Sequence, residues 1–220
     1  DNQILAGNIT ATADNIDLNK WMGTSAASSV ATTASINATT SHPFAIPANI
    51  NLTIATAATK VSYDKVDYTN ISGNLLMSDE KVVLENVKTN ALDGTIIING
   101  SYATKVNKQK PDISLSYDIK NVDIQKAFYA YNTMQSLMPV GKFLSGKLHS
   151  ELSMIGNLDG DMMPLLNSLS GKGNMLLLEG VLAKFAPLEK IATILDVDRL
   201  KSISIKDIKN YIEFSNGKVL

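Results

Sequence analysis

Alternation with a period of two limits this chain more than any other feature. In 48–58, Ile50, Leu52 and Ile54 alternate with Asn51 and Thr53. In 113–120, Ile113, Leu115, Tyr117 and Ile119 alternate with Ser114, Ser116, Asp118 and Lys120. In 147–154, Leu148, Leu152 and Met154 alternate with Lys147, Glu151 and Ser153. Successive side chains of a strand point to opposite faces, so each stretch has one apolar and one polar face. Antiparallel sheets with one wet face read this way.

Short polar dipeptides separate the apolar runs: Asp79-Glu80, Asp93-Gly94 and Asn216-Gly217. Asn-Gly and Asp-Gly accept positive φ at both central positions, as two-residue hairpins require. Residues 71–120 therefore read as a four-stranded meander. The hairpin at 216–217 has three residues after its turn, so the chain is expected to continue past Leu220. The opening "DNQILAGNITATAD" reads as a strand in mid-fold, and the whole as a piece excised from something longer.

Two stretches have helical period instead. Phe128, Tyr131, Met134 and Met138 share one face of a helix over 124–138. Phe185, Leu188, Ile191, Ala192 and Leu195 do so over 181–195, with Pro187 in the first turn, where proline is tolerated. The expected fold is mainly β with minor α: an extended, twisted antiparallel sheet of repeated hairpins with two short helices packed on it. Residues 23–41 are rich in Ala, Ser and Thr and read as a flexible insertion.

A near-repeat organises this pattern. Residues 15–21 read "NIDLNKW" and residues 121–127 read "NVDIQKA". In both, an apolar residue ends a strand pattern and an aspartate precedes a helical one. An aspartate there accepts the orphan amide protons of a helix start. Asp17 and Asp123 thus read as structural helix caps. Reading them as a catalytic carboxylate pair requires them to meet in space, and no third partner is visible. The repetition divides one segment, 1–220, into two internal units of approximately 1–111 and 112–220.

Charge and composition exclude several functions. The 20 Lys+Arg balance 21 Asp+Glu, and Arg199 is the only arginine, so no basic stripe for nucleic acid exists. No cysteine is present, which removes disulfides, zinc ribbons and thiol catalysis. No run of 18 apolar residues could cross a membrane as a helix. His42 and His149, the two histidines, lack HxH or HxxH spacing, so no metal site is expected. Asp159-Gly160-Asp161 is too short for a calcium loop and reads as a turn. "LSGKGN" (169–174) lacks the spacing of a phosphate loop, and no GxSxG elbow occurs. Four sequons, at Asn8, Asn37, Asn51 and Asn70, are of a kind common by chance. Trp21 is expected to anchor the first short helix to the sheet. No catalytic residue and no cofactor is assigned.

The ordered landmarks resemble the C-terminal region of AsmA-like proteins of Gram-negative bacteria. They run through "NIDLNKW", the stretch from "IPANINLTIATAATK" to "NALDGTIIINGSY", "NVDIQKAF", "LNSLSGKGNMLLLEGVLAKFAPLEKIATIL" and "IEFSNGKV". The resemblance covers roughly 1–22 and 46–220. It implies a periplasmic segment of a protein anchored in the inner membrane by a helix outside this fragment. It also implies a role in outer-membrane biogenesis and kinship with bridge-like lipid carriers, whose curved sheets form an apolar groove. Its partner would be a phospholipid or other envelope lipid; further envelope proteins are not specified. It supplies no catalytic residues.

Geometry bears on the groove. About a dozen strand candidates at roughly 4.8 Å spacing make a sheet about 55 Å wide. Helices of about 12–14 residues are only about 20 Å long. Two of them cannot cover that face, so apolar rows must pack on another layer, close on themselves or meet an apolar ligand. Candidate lipid-facing residues are Ile50, Leu52, Ile54, Ile96, Ile98, Ile113 and Leu115. The alternative is a structural or protein-interaction scaffold with these rows sealed.

Overall fold

The computed structural model describes residues 3–21, 43–131, 135 and 139–220. They form one open ten-stranded sheet whose strands lie side by side in chain order. The first half comprises β1 (Leu5–Asp17), β2 (Ile50–Tyr63), β3 (Val66–Ser78), β4 (Lys81–Ala91) and β5 (Gly94–Ala103). The second comprises β6 (Asp112–Asp123), β7 (Leu144–Asn157), β8 (Ser170–Ala183), β9 (Ser202–Ser215) and β10 (Lys218–Val219). Helix α1 (Leu18–Trp21) follows β1, α2 (Ile124–Ala130) follows β6 and α3 (Ala186–Leu195) follows β8. The fold is mainly β, as the alternation predicts. None of the described helices is long and apolar enough to cross a membrane.

The meander extends further than the four strands expected: every pair from β2 to β10 is antiparallel. One pairing departs from the expected antiparallel sheet. β1 runs parallel to β2, with Leu5 beside Ile50 and Asp17 beside Ser62. A parallel partner requires the chain to travel back along the strand, and the long connection from α1 to β2 allows this. Residues 23–41 and His42 belong to that connection and lie outside the described residues. β1, β6 and β8 run in the same direction, so all three helices gather at one end of the sheet.

Two hairpins turn where the dipeptides place them. Asp79 and Glu80 have φ of 53° and 58°, and Asn216 and Gly217 have 50° and 72°. The β4–β5 turn sits one residue earlier than expected, at Leu92 (53°) and Asp93 (64°), because Ala91 pairs with Gly94. Gly94 serves packing instead. A Cβ there would lie 2.6 Å from Val122 Cγ2 and 2.5 Å from the Lys120 carbonyl oxygen.

Three strands carry an asparagine in the left-handed region: Asn70 (φ 53°), Asn86 (49°) and Asn121 (60°). The register slips beside each of them, between Thr69 and Ser72, between Leu84 and Val87, and between Ile119 and Val122. Asparagine tolerates this backbone better than other side chains with a Cβ. Each slip adds one residue, so Val87 joins the face of Leu84 and Val122 that of Ile119. Strict alternation would put both valines on the wet side.

The core is local. Val66, Ala91, Ile96 and Val122 of the sheet meet Ala127 and Ala130 of α2. Phe128 is also buried, with its ring edge-on to Tyr129. α2 is shorter than the 124–138 expected: Tyr131 is extended (φ −110°, ψ 117°), while Met134 and Met138 lie outside the described residues. α3 starts at Ala186 rather than 181, because Val181 and Leu182 continue β8 by pairing with Ser145 and Leu144. Its left-handed C-cap is Asp196 (φ 53°). It buries only Ala192, and Leu195 is 60% exposed. α2 is therefore the helix packed against the sheet, where two were expected. At the opposite end of the sheet, buried Thr104 accepts the Ile46 N–H at 3.1 Å.

Candidate functional site: the apolar face of the sheet

Residues opposite each other in neighbouring strands share a face, so the register traces lines across the sheet. One line runs Ile9, Ile54, Leu75 and Leu84 across β1 to β4. It continues through Gly100, Leu115 and Met154 in β5 to β7. It ends through Gly171, Phe214 and Val219 in β8 to β10. Ten consecutive strands contribute no polar side chain. At a strand spacing of about 4.8 Å the line is about 43 Å long. A second line beside it runs through Ile98, Tyr117, Leu152, Gly173 and Ile212.

Two margins bound these lines. At the helical end, α2 lies over Ile96, and Ile98 and Ile119 fringe that cluster. At the other end, Tyr102 Oη donates to the Phe44 carbonyl oxygen at 2.7 Å and lies 3.7 Å from Met162 Sδ. Segments 43–49 and 158–169 thus close that side. Between the margins, Ile54, Leu75, Leu84, Leu115, Met154 and Phe214 are half-buried. Single-layer packing leaves them touching one another while each keeps some access to solvent.

The sequence-derived candidates fall in different places. Leu52, Ile54 and Leu115 lie on this face, and Ile50 lies beside exposed Leu5 at its edge. Ile113 pairs with Tyr102 at the closed margin, and Ile98 borders the α2 cluster. Ile96 is 7% exposed beneath α2, so it is core and unavailable to a ligand on the open face. Sequence reasoning passed over Leu75, Leu84, Met154 and Phe214. The turn at Asp79-Glu80 carries the missing signal: it pairs Ser78 with Lys81, which places Leu75 opposite Leu84.

The repeated aspartates sit at strand-to-helix joints. Asp123 Oδ1 accepts the Lys126 N–H at 2.9 Å and caps α2. Asp17 Oδ1 accepts the Asn19 N–H at 3.1 Å, and its other oxygen lies 3.5 Å from Lys20 Nζ. Five strand spacings, about 24 Å, separate their strands, so the two carboxylates do not form a catalytic pair. The side chain of Trp21 lies outside the described residues.

The opposite face is richer in polar side chains, with Val83, Ile97 and Ile155 interspersed. A shallow trough of about 700 Å³ across β4 to β9 is lined by Leu84, Leu115, Met154 and Phe214 of the apolar line together with Ser116 and Lys172 of the neighbouring positions. On the face opposite the apolar line, the Ser101 and Ser114 hydroxyls lie 2.8 Å apart and bond to each other. His149 is elsewhere, its Nε2 3.0 Å from Asn121 Oδ1. Asp159 closes a turn by accepting the N–H groups of Asp161 and Met163, both at 2.9 Å. Among the described residues no three His, Asp or Glu side chains gather closely enough to hold a metal ion.

Titration is perturbed around α2, among other places. The Lys126 ammonium beside Asp93 holds that carboxyl below the usual range, and Asp93 in turn raises Lys126. Burial, reinforced by the Tyr68 hydroxyl 2.9 Å away, pushes the Tyr131 phenol well above its usual range. No family model, no curated protein and no solved structure matches the chain.

Proposed function

We propose that this chain is a non-enzymatic, lipid-binding segment that holds acyl chains along the apolar face of its sheet. It would serve as the periplasmic part of an AsmA-like protein anchored in the inner membrane, in outer-membrane biogenesis. The observation that carries this reading is the uninterrupted apolar line from Ile9 to Val219. Aliphatic side chains that offer no hydrogen bonds suit a ligand that needs none. Spanning the strands instead of forming a closed pocket suits a ligand that slides or lies extended. The resemblance of the sequence landmarks to AsmA-like proteins points the same way.

The test is saturable binding of a fluorescent fatty acid to the delipidated chain. Paired substitution Leu84→Asp and Leu115→Asp places charge mid-line and is expected to weaken binding at least tenfold. Ser116→Asp, on the opposite face, is expected to leave it unchanged. Circular dichroism checks that each variant keeps its sheet. Absence of saturable binding, or equal loss in Ser116→Asp, rejects the reading.

A further inference from the structure

The reverse of the apolar face carries a line of its own. Ile97, Asp118, Glu151, Asn174 and Tyr211 stand side by side across β5 to β9. Each is one residue from a member of the second apolar line, so its side chain points the other way. A hollow of about 470 Å³ runs along this line, and Ser153 and Lys172 border it. That volume lies within the range of ligand sites. Asp118 and Glu151 are direct cross-strand partners, and like charges so placed oppose folding. Lys120 Nζ lies 3.0 Å from Asp118, whereas among the described residues no ion pair answers Glu151. Tyr211 is 60% exposed, and its Oη donates to Glu213 Oε2 at 2.9 Å, which pins the ring in place.

We propose that this hollow binds a neutral oligosaccharide. One sugar ring stacks its C–H face on Tyr211, and the next is hydrogen-bonded by Asn174, Glu151 and Asp118. From β9 to β6 is three strand spacings, about 14 Å, which is longer than a single ring. The chemistry of the lining selects this class. A hydroxyl both donates and accepts, so it satisfies a carboxylate on one side and the Asn174 amide or Lys172 ammonium on the other. The Tyr211 ring offers an apolar surface beside those polar groups. A phosphate or sulfate would meet two carboxylates and be repelled. An acyl chain would leave the same groups without partners. For a metal ion, no third carboxylate or histidine stands close enough among the described residues. The opposed Asp118 and Glu151 then represent stability given up for binding.

The test is titration of the chain with maltotriose, cellotriose and chitotriose, followed by saturation-transfer NMR on the sugar. Saturable binding of at least one of them is expected. Tyr211→Ala removes the stacking surface and is expected to weaken that binding several-fold. Glu151→Gln removes a charged acceptor and is expected to weaken it at least about tenfold. The same substitution relieves the like-charge pair, so its melting temperature is expected to hold or rise. No saturable binding of any of the three sugars overturns the proposal. Binding that survives both substitutions places the sugar elsewhere and overturns it too. A melting temperature that falls together with binding in Glu151→Gln assigns Glu151 to the fold, with the same consequence. Fatty-acid binding by both variants is expected to persist, because they lie on the opposite face. This test and that of the lipid reading therefore fail independently.

Discussion

Lys126 clamps Asp93: its Nζ lies 2.7 Å from both carboxylate oxygens, tying the first turn of α2 to the β4–β5 hairpin. Lys147 Nζ approaches the same carboxylate at 3.6 Å. The stability of this corner should therefore depend on pH at both extremes. Asp93 has a depressed pKa in the fold. Its contribution is complete above the unfolded carboxyl value of about 4 and fades as pH falls through the folded value. Lys126 and Tyr131 are raised, so their contributions are complete below about pH 10 and are lost as pH rises through the folded values. Thermal melts across pH should show both limbs. Asp93→Asn should remove part of the acid limb, modestly because the pair is exposed and screened, and leave the tyrosine limb intact.

Gly94 is the position least able to accept a side chain. Its Cβ would press on the Lys120 carbonyl and on Val122, both fixed by the β5–β6 pairing and the α2 core. Gly94→Ala should cost about 3 kcal/mol, the upper end of overpacking penalties. For a domain of this size that lowers the melting temperature by about 6–12 °C. Thr95→Ala, one residue on and exposed, should change it little.

The two capping aspartates should differ in weight. Asp123→Ala removes the acceptor of the Lys126 N–H and should cost about 1 kcal/mol. Asp17→Ala should cost less, because α1 is a single turn with little packed behind it. Urea midpoints of the two variants, measured side by side, give the comparison. Equal losses would contradict the different helix lengths.

How far the sequence revealed this fold depends on where local chemistry ruled. Alternation in β2, β6 and β7 and the turns at Asp79-Glu80 and Asn216-Gly217 are decided within a few residues, and they appear as expected. The parallel pairing of β1 is not local. Nothing within "LAGNITATADNID" says from which direction its neighbour arrives. Asn70, Asn86 and Asn121 were legible only in part. An asparagine inside an apolar run can sit on a wet face or in a bulge, and only the neighbouring strand's register decides. Ile96 was misplaced for the same reason. Period-two logic puts it on the apolar face correctly, yet α2 folds back over that end of the face. α2 was visible in the sequence as a helix, but where it docks was not.

Ile96 and Leu115 share a face and differ in what stands above them, so substitution should separate stability from binding. Ile96→Ala opens a cavity beneath Ala127 and Ala130 and should cost about 2–5 kcal/mol, as buried truncations do. Leu115 is half-buried on the open line, between Gly100 and Met154. Leu115→Ser should cost about 1 kcal/mol, because part of its surface already meets water. Fatty-acid affinity should move the other way, falling several-fold in Leu115→Ser and holding near wild type in Ile96→Ala wherever that variant remains folded. The two measurements, urea midpoint and probe affinity on the same samples, distinguish an open apolar face from a sealed one. If the face were sealed by another layer, Leu115→Ser would resemble Ile96→Ala in stability and neither would alter binding.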